Sequence, residues 1–213
     1  MKKAVSAAAL AAPAVIALAA DAPAANDYIH IARTGTLHID APPDSAFLLF
    51  TGPGEKLWIE DWDPVVVSGD GLSRGTVFIT DIGEETLWII VDFDRQARHA
   101  RYARFALGSR AGTVEVRVDS DGNGKSIPRV TYELTALSQA GNDALAAFDE
   151  AAYAGMLQAW EQMIRDADID YESGLFTGHK KRKLARPGTP TTPRRIIRNK
   201  YLVNINRIFN SGH

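Results

Sequence analysis

Between Gly112 and Asp168 the chain passes from two-residue to helical periodicity, and this switch limits the available folds more than any other feature. In Thr113-Val114-Glu115-Val116-Arg117-Val118 and Val130-Thr131-Tyr132-Glu133-Leu134-Thr135, apolar and polar residues alternate. Successive strand side chains point to opposite faces, so each of these strands has one wet face and one buried face. Beyond Asn142, read as an N-cap with Asp143 in the first turn, apolar residues recur at Leu145, Phe148, Ala152, Met156, Trp160, Met163 and Ala167. That spacing predicts one long helix with a broad apolar stripe, and Asp143, Glu150, Glu161, Arg165 and Asp168 fall on its other side. Such a helix needs an apolar surface on one flank only, which a curved antiparallel sheet supplies.

Upstream, Ile31 to Asp40 reads as a strand, ended by Ala41-Pro42-Pro43-Asp44. A short helix follows over Ala46 to Phe50, Thr51-Gly52-Pro53-Gly54 breaks it, and Glu55 to Trp62 makes a second helical turn or two, with Trp58 and Trp62 four apart on one face. Strands are then expected at Val65-Val66-Val67, Thr76 to Thr80, Leu87 to Phe93 and Arg101 to Phe105, separated by Gly, Asp and Ser turns. The order is strand, two short helices, six strands, long helix. About seven strands around one helix is an α+β architecture.

Composition separates a body from two ends. The chain has 213 residues, 46% of them hydrophobic and 23% charged, which excludes disorder throughout. Residues 1–24 read as a secretory leader: Lys2 and Lys3, an uncharged Ala/Val/Ile/Leu stretch, then Ala22-Pro23-Ala24. That stretch is too Ala-rich, with Pro13 inside it, for a membrane span. The expected destination is the periplasm or the exterior, with no integral membrane segment once the leader is cleaved. No cysteine occurs, so the body, taken as 25–170, must be stable from core burial alone. From Ala25 to Gly174 there are 25 acidic and 12 basic residues; from Leu175 to His213 there are 10 basic and none acidic. The segment 171–213 is therefore a basic tail, and its Pro-rich stretch Pro187-Gly188-Thr189-Pro190-Thr191-Thr192-Pro193 suits no helix or central strand. With few aromatic residues among its cations it lacks the stacking platforms of a nucleic-acid binder, so no nucleic-acid partner is expected.

A strongly curved sheet cannot press against a straight helix along its whole length, and the space between them tends to stay open as an apolar cavity. Val114, Val116, Val130, Tyr132 and Leu134 from the alternating strands face it, with Met156, Trp160 and Met163 from the helix stripe and Trp88 and Ile90 from a central strand. Trp58 is counted with them. The partner this implies is a small hydrophobic molecule. The phase of Arg101 to Phe105 stays open: either Tyr102 and Arg104 or Ala103 and Phe105 face inward. Asp92, amid an apolar strand, becomes a general acid or base if it points unpaired into the cavity. Arg104 and Tyr102 are the other groups able to orient a carboxyl or carbonyl of a ligand.

Ile39-Asp40-Ala41-Pro42-Pro43-Asp44-Ser45-Ala46-Phe47, Gly54-Glu55-Lys56-Leu57-Trp58 with Trp62-Asp63-Pro64, Gly75-Thr76-Val77-Phe78, and the closing helix with Tyr153 and Trp160 together resemble the START-like (SRPBCC) superfamily that includes the Bet v 1 allergens and small polyketide cyclases. The resemblance covers Ile31 to about Ala167. It implies a helix-grip fold around a deep hydrophobic pocket for lipids, sterols, polyketides or similar molecules, and no shared catalytic residue. A leader and a basic extension are not part of that pattern.

Other motifs carry less. Gly71-Leu72-Ser73-Arg74-Gly75 spells a nucleophile elbow, but a strand follows where that chemistry needs a helix. Asp119-Ser120-Asp121-Gly122-Asn123-Gly124 matches half a calcium loop, yet Val130 stands at the twelfth position, which must supply a carboxylate. The five histidines show no metal-ligand spacing. Neither a metal nor a cofactor is expected. Three functions stay in play: a carrier or binder of a hydrophobic small molecule, a cyclase- or dehydratase-like enzyme using Asp92, Arg104 and Tyr102 in the same cavity, and a surface-anchoring or protein-interaction module acting through the cationic tail.

Overall fold

The computed structural model describes residues 27–171. The leader at 1–24 and, beyond Tyr171, the basic tail lie outside the described residues. In chain order the elements are β1 (His30–Thr36), α1 (Pro43–Leu48), α2 (Gly52–Glu55), β2 (Val65–Ser68), β3 (Val77–Asp81), β4 (Glu85–Asp94), β5 (His99–Ala106), β6 (Arg110–Ser120), β7 (Ser126–Ala136), α3 (Gln139–Ala147) and α4 (Glu150–Asp166). The seven strands form one sheet in the order β1-β7-β6-β5-β4-β3-β2, with every neighbouring pair antiparallel. It is a hairpin meander from β2 to β7 whose last strand also pairs with β1.

The alternation of β6 and β7 appears as alternating burial: Val114, Val116, Val118, Val130, Tyr132 and Leu134 are all buried. Aligned residues run in rows across the concave face. One row is Ile90, Tyr102, Val114 and Tyr132; the next is Phe78, Trp88, Arg104, Gly112 and Leu134. Gly112 sits where the backbones of β6 and β7 approach closely, since a Cβ there would lie 1.9 Å from the Glu133 carbonyl oxygen.

The closing helix is two helices. Ser138 caps α3, its hydroxyl accepting from the Gly141 N–H at 3.1 Å, and Asp149 caps α4, its carboxylate accepting from the Ala152 N–H at 2.8 Å. Between them Phe148 leaves helical geometry (φ −91°, ψ 57°), which turns its ring into the core against Tyr132 and Tyr153. Asn142, expected as the cap, sits one turn inside α3 and ties down the incoming chain: it accepts from the Ile29 N–H at 2.8 Å and donates to the Asp27 carbonyl at 3.0 Å. The two short helices shift for a related reason. Thr51, expected within a break, caps α2 by accepting from the Gly54 N–H, and Pro53 takes a first-turn position where it loses no hydrogen bond. The segment expected as a second helix, 55–62, lies mostly past the end of α2.

Helix α4 is held by packing. It buries Tyr153, Met156, Leu157, Met163 and Ile164, and a buried Met, Leu or Ile contributes about 1.5–3 kcal/mol relative to exposure. The Tyr153 hydroxyl donates to the Val130 carbonyl at 2.7 Å, and Arg33 of β1 pairs with Glu150 at 2.9 Å. The helix is thereby fixed across the concave face and the β1 edge.

Candidate ligand-binding site

Three parts of the fold meet around one hollow. The sheet contributes Phe78, Trp88, Tyr102, Val114, Val116, Val130 and Tyr132; the segment around α2 contributes Phe50, Gly52, Glu55 and Trp62; α4 contributes Trp160. Seven of these twelve residues are aromatic, and Glu55 is the sole acid among them. The hollow is small. The room for the centre of a water-sized sphere is about 30 Å³, space for roughly two waters, and the unfilled space between the lining residues, counted out to the open mouth, is about 380 Å³.

Aromatic packing explains why it is not the deep cavity expected. Trp160 packs edge-on against Trp58 at 5.6 Å and near Phe50 at 6.5 Å, so one end is filled by three rings. Tyr132, Phe148 and Tyr153 form a second cluster at 5.6–6.0 Å. Phe78 and Trp88 stack with planes 5° apart, and Trp88 meets Tyr102 edge-on. The polar tips are anchored to the backbone or to threonine: Trp58 donates to the Leu49 carbonyl, Trp62 to the Gly52 carbonyl, Tyr102 to the Phe50 carbonyl and Trp88 to the Thr80 hydroxyl.

Of the residues singled out in the sequence, Trp88, Tyr102, Val114, Val116, Val130, Tyr132 and Trp160 line the hollow. Trp58, Ile90, Leu134, Met156 and Met163 are buried in the core, outside that lining. The open phase of β5 resolves with Tyr102 and Arg104 inward, both 5% exposed. Asp92 does not face the cavity. A β-bulge between Ile90 and Asp92 leaves Val91 unpaired and reverses the alternation, so Phe93 turns inward against Phe47. Asp92 lies on the outer face, bonded to the His99 ring at 3.0 Å.

The inward carboxyl is Glu55, which the sequence reading did not single out as a site residue. It has no hydrogen-bond or ion-pair partner among the described residues, and burial pushes its pKa up from 4.5 to about 8. Burial, and then the Glu55 charge, raise Tyr102; burial dominates for Tyr132 as well. The segment passes close to the Leu48 backbone at Gly54, where a Cβ would lie 1.8 Å from the Leu48 carbonyl oxygen, so that position requires glycine. A sequence signal existed: on a helix Glu55 shares a face with Trp58 and Trp62, and Glu60 does not.

A second buried charge group lies along the sheet from the hollow. Arg104 and Arg110 both bond to Glu84 in the β3–β4 turn, Arg104 at 2.8 Å. Arg110 is 2% exposed, and its pKa is lowered to about 10, first by burial and then by Arg104. The Arg104 guanidinium lies 5.5 Å from the Trp88 ring centroid. Among the described residues there is no cluster of three metal-ligating side chains and no helix long and apolar enough to cross a membrane.

No protein-family model matches the sequence, and no curated protein matches it significantly. Solved structures do. Major latex-like protein 151 from Panax ginseng superposes with a TM-score of 0.51 at 14% identity, over 66% of this chain and 99% of that one. Norcoclaurine synthase from Thalictrum flavum, in complex with dopamine and hydroxybenzaldehyde, superposes at 0.50 and 12% identity, over 78% of this chain and all of that one. A second structure of that synthase gives 0.50 and 13%, over 66% and 90%. The chain has the Bet v 1-like fold. In Bet v 1-like terms α4 is the gripping helix, α1 and α2 close one end, and the aromatic hollow lies between helix and sheet. At these identities the likeness concerns the fold alone.

Proposed function

We propose that this protein binds a small, largely aromatic hydrophobic molecule in the hollow between the sheet and α4. The observation that carries the reading is the lining: seven aromatic side chains from three separate parts of the chain converge on one opening with a single acid among them. Aromatic stacking and apolar burial, about 25 cal/mol per Å² removed from water, supply the affinity, and one polar group sets orientation. The hollow is open at one end but small, so a guest enters by displacing the rings nearest the mouth. The dopamine and hydroxybenzaldehyde complex of norcoclaurine synthase is consistent with small aromatic guests in this fold. Trp62, Trp88 and Trp160 report on occupancy directly. The neutral dye phenylnaphthylamine should bind one-to-one and saturably, quench tryptophan emission, and be displaced by phenethyl alcohol; absence of saturable binding overturns the reading.

A second reading, an enzyme of the cyclase or dehydratase kind, is favoured by Glu55, whose raised proton affinity near pH 8 suits a general acid or base at neutral pH. It takes the role first considered for Asp92. On that reading Glu55→Gln abolishes turnover and keeps product binding. Export to the periplasm or exterior belongs to the same proposal, tested by the N-terminal sequence of the mature protein from its own cells.

A further inference from the structure

The hollow pairs one carboxyl with a wall of π-faces, and no lysine or arginine lines it. From this juxtaposition we propose that the preferred guest is an aromatic amine in its ammonium form, its ring between Trp88 and Trp160 and its charged nitrogen against Glu55. The inference rests on the binding function proposed above and names the chemical class of the guest.

Three observations converge. Glu55 ends α2 at the hollow, next to Gly54, where the Leu48 backbone leaves no room for a side chain, and it has no counter-ion among the described residues. The nearby cations are engaged elsewhere: Arg104 and Arg110 both bond to Glu84. The aromatic wall already accepts a cation, since the Arg104 guanidinium lies over Trp88, and desolvated cation–π contacts are among the stronger ones. Only an ammonium gives the ionised form of Glu55 the counter-charge and hydrogen-bond donors that no lining residue supplies; a neutral or anionic guest leaves the carboxyl in its protonated form and gains no ion pair. Because burial holds Glu55 largely protonated at pH 7, an arriving ammonium ionises it and a proton leaves to solvent.

The test compares three ligands of one shape on the full chain by calorimetry at pH 7: phenethylamine, phenethyl alcohol and hydrocinnamate. The amine should bind at least tenfold more tightly than the alcohol, release close to one proton per molecule bound when titrated in buffers of different ionisation enthalpy, and lose both properties in Glu55→Gln. Glu55→Asp, which keeps a carboxyl, should retain the preference, and it carries the test if the Gln variant does not fold. An alcohol that binds as well as the amine, or a tightest-binding hydrocinnamate, overturns the ammonium and leaves the apolar site standing. A preference that survives in Glu55→Gln overturns the role of Glu55. Binding by none of the three overturns the site and the ammonium together.

Discussion

Glu55→Gln should convert a protein whose stability falls with rising pH into one whose stability does not. In the unfolded chain the Glu55 carboxyl titrates near 4.5; in the folded chain burial moves it to about 8. Between those values the folded state holds the extra proton, so stability is fully present below the lower value and is lost as pH rises through the upper one. Each tenfold change in proton affinity is worth about 1.4 kcal/mol, so a fully sealed site would lose roughly 4–5 kcal/mol across the window. The hollow is open at one end and Glu55 is only partly buried; screening there reduces the loss to roughly 2–4 kcal/mol. For a domain of this size about 2–4 °C accompanies each kcal/mol, which places the fall between pH 5 and pH 9 at roughly 5–15 °C. The assay is thermal unfolding of wild type and Glu55→Gln at half-unit pH steps, read as the difference between the two curves so that other titrating groups cancel. Curves that run parallel from pH 5 to pH 9 would show that the Glu55 carboxyl is not desolvated by the fold, and the reasoning would fail.

Three further outcomes follow from the same packing. Glu84→Ala leaves Arg104 and Arg110 buried with their shared carboxylate gone, and should cost about 3 kcal/mol or more in urea unfolding. Trp160→Ala removes a ring packed on Trp58 and Phe50; it should cost about 2–3 kcal/mol while tightening phenylnaphthylamine binding, because the hollow enlarges. Asp149→Ala removes the cap that starts α4 and should cost about 1 kcal/mol, with the dye affinity as a control on the site.

The strand count, the element order and the inward face of β6 and β7 were legible in the sequence because two-residue alternation survives wherever a sheet has one wet side. Four things were not. The apolar stripe from Leu145 to Ala167 continues in helical phase through Phe148, so periodicity alone gave no sign that Asp149 begins a new helix; the cue was the Ser138 and Asp149 caps, each three residues before the N–H it satisfies. Asp92 has the alternation of an inward residue, and a bulge at Val91, which leaves no mark in a run of Trp, Ile and Val, turns it outward. The size of the hollow depends on how Trp58, Trp160 and Phe50 interdigitate, a property of side-chain packing between α4 and the segment around α2. Glu84, Arg104 and Arg110 lie far apart in sequence and meet only through the register of β4, β5 and β6.

The most direct test of a guest site between sheet and helix is a crystal of the protein exposed to bromobenzene, with the bromine located by its anomalous signal. The expected result is one dominant peak between Trp88, Tyr132 and Trp160, with the Trp160 ring displaced from its contact with Trp58. A saturated crystal with bromine only on the outer surface, and those rings still in their closed arrangement, would contradict it.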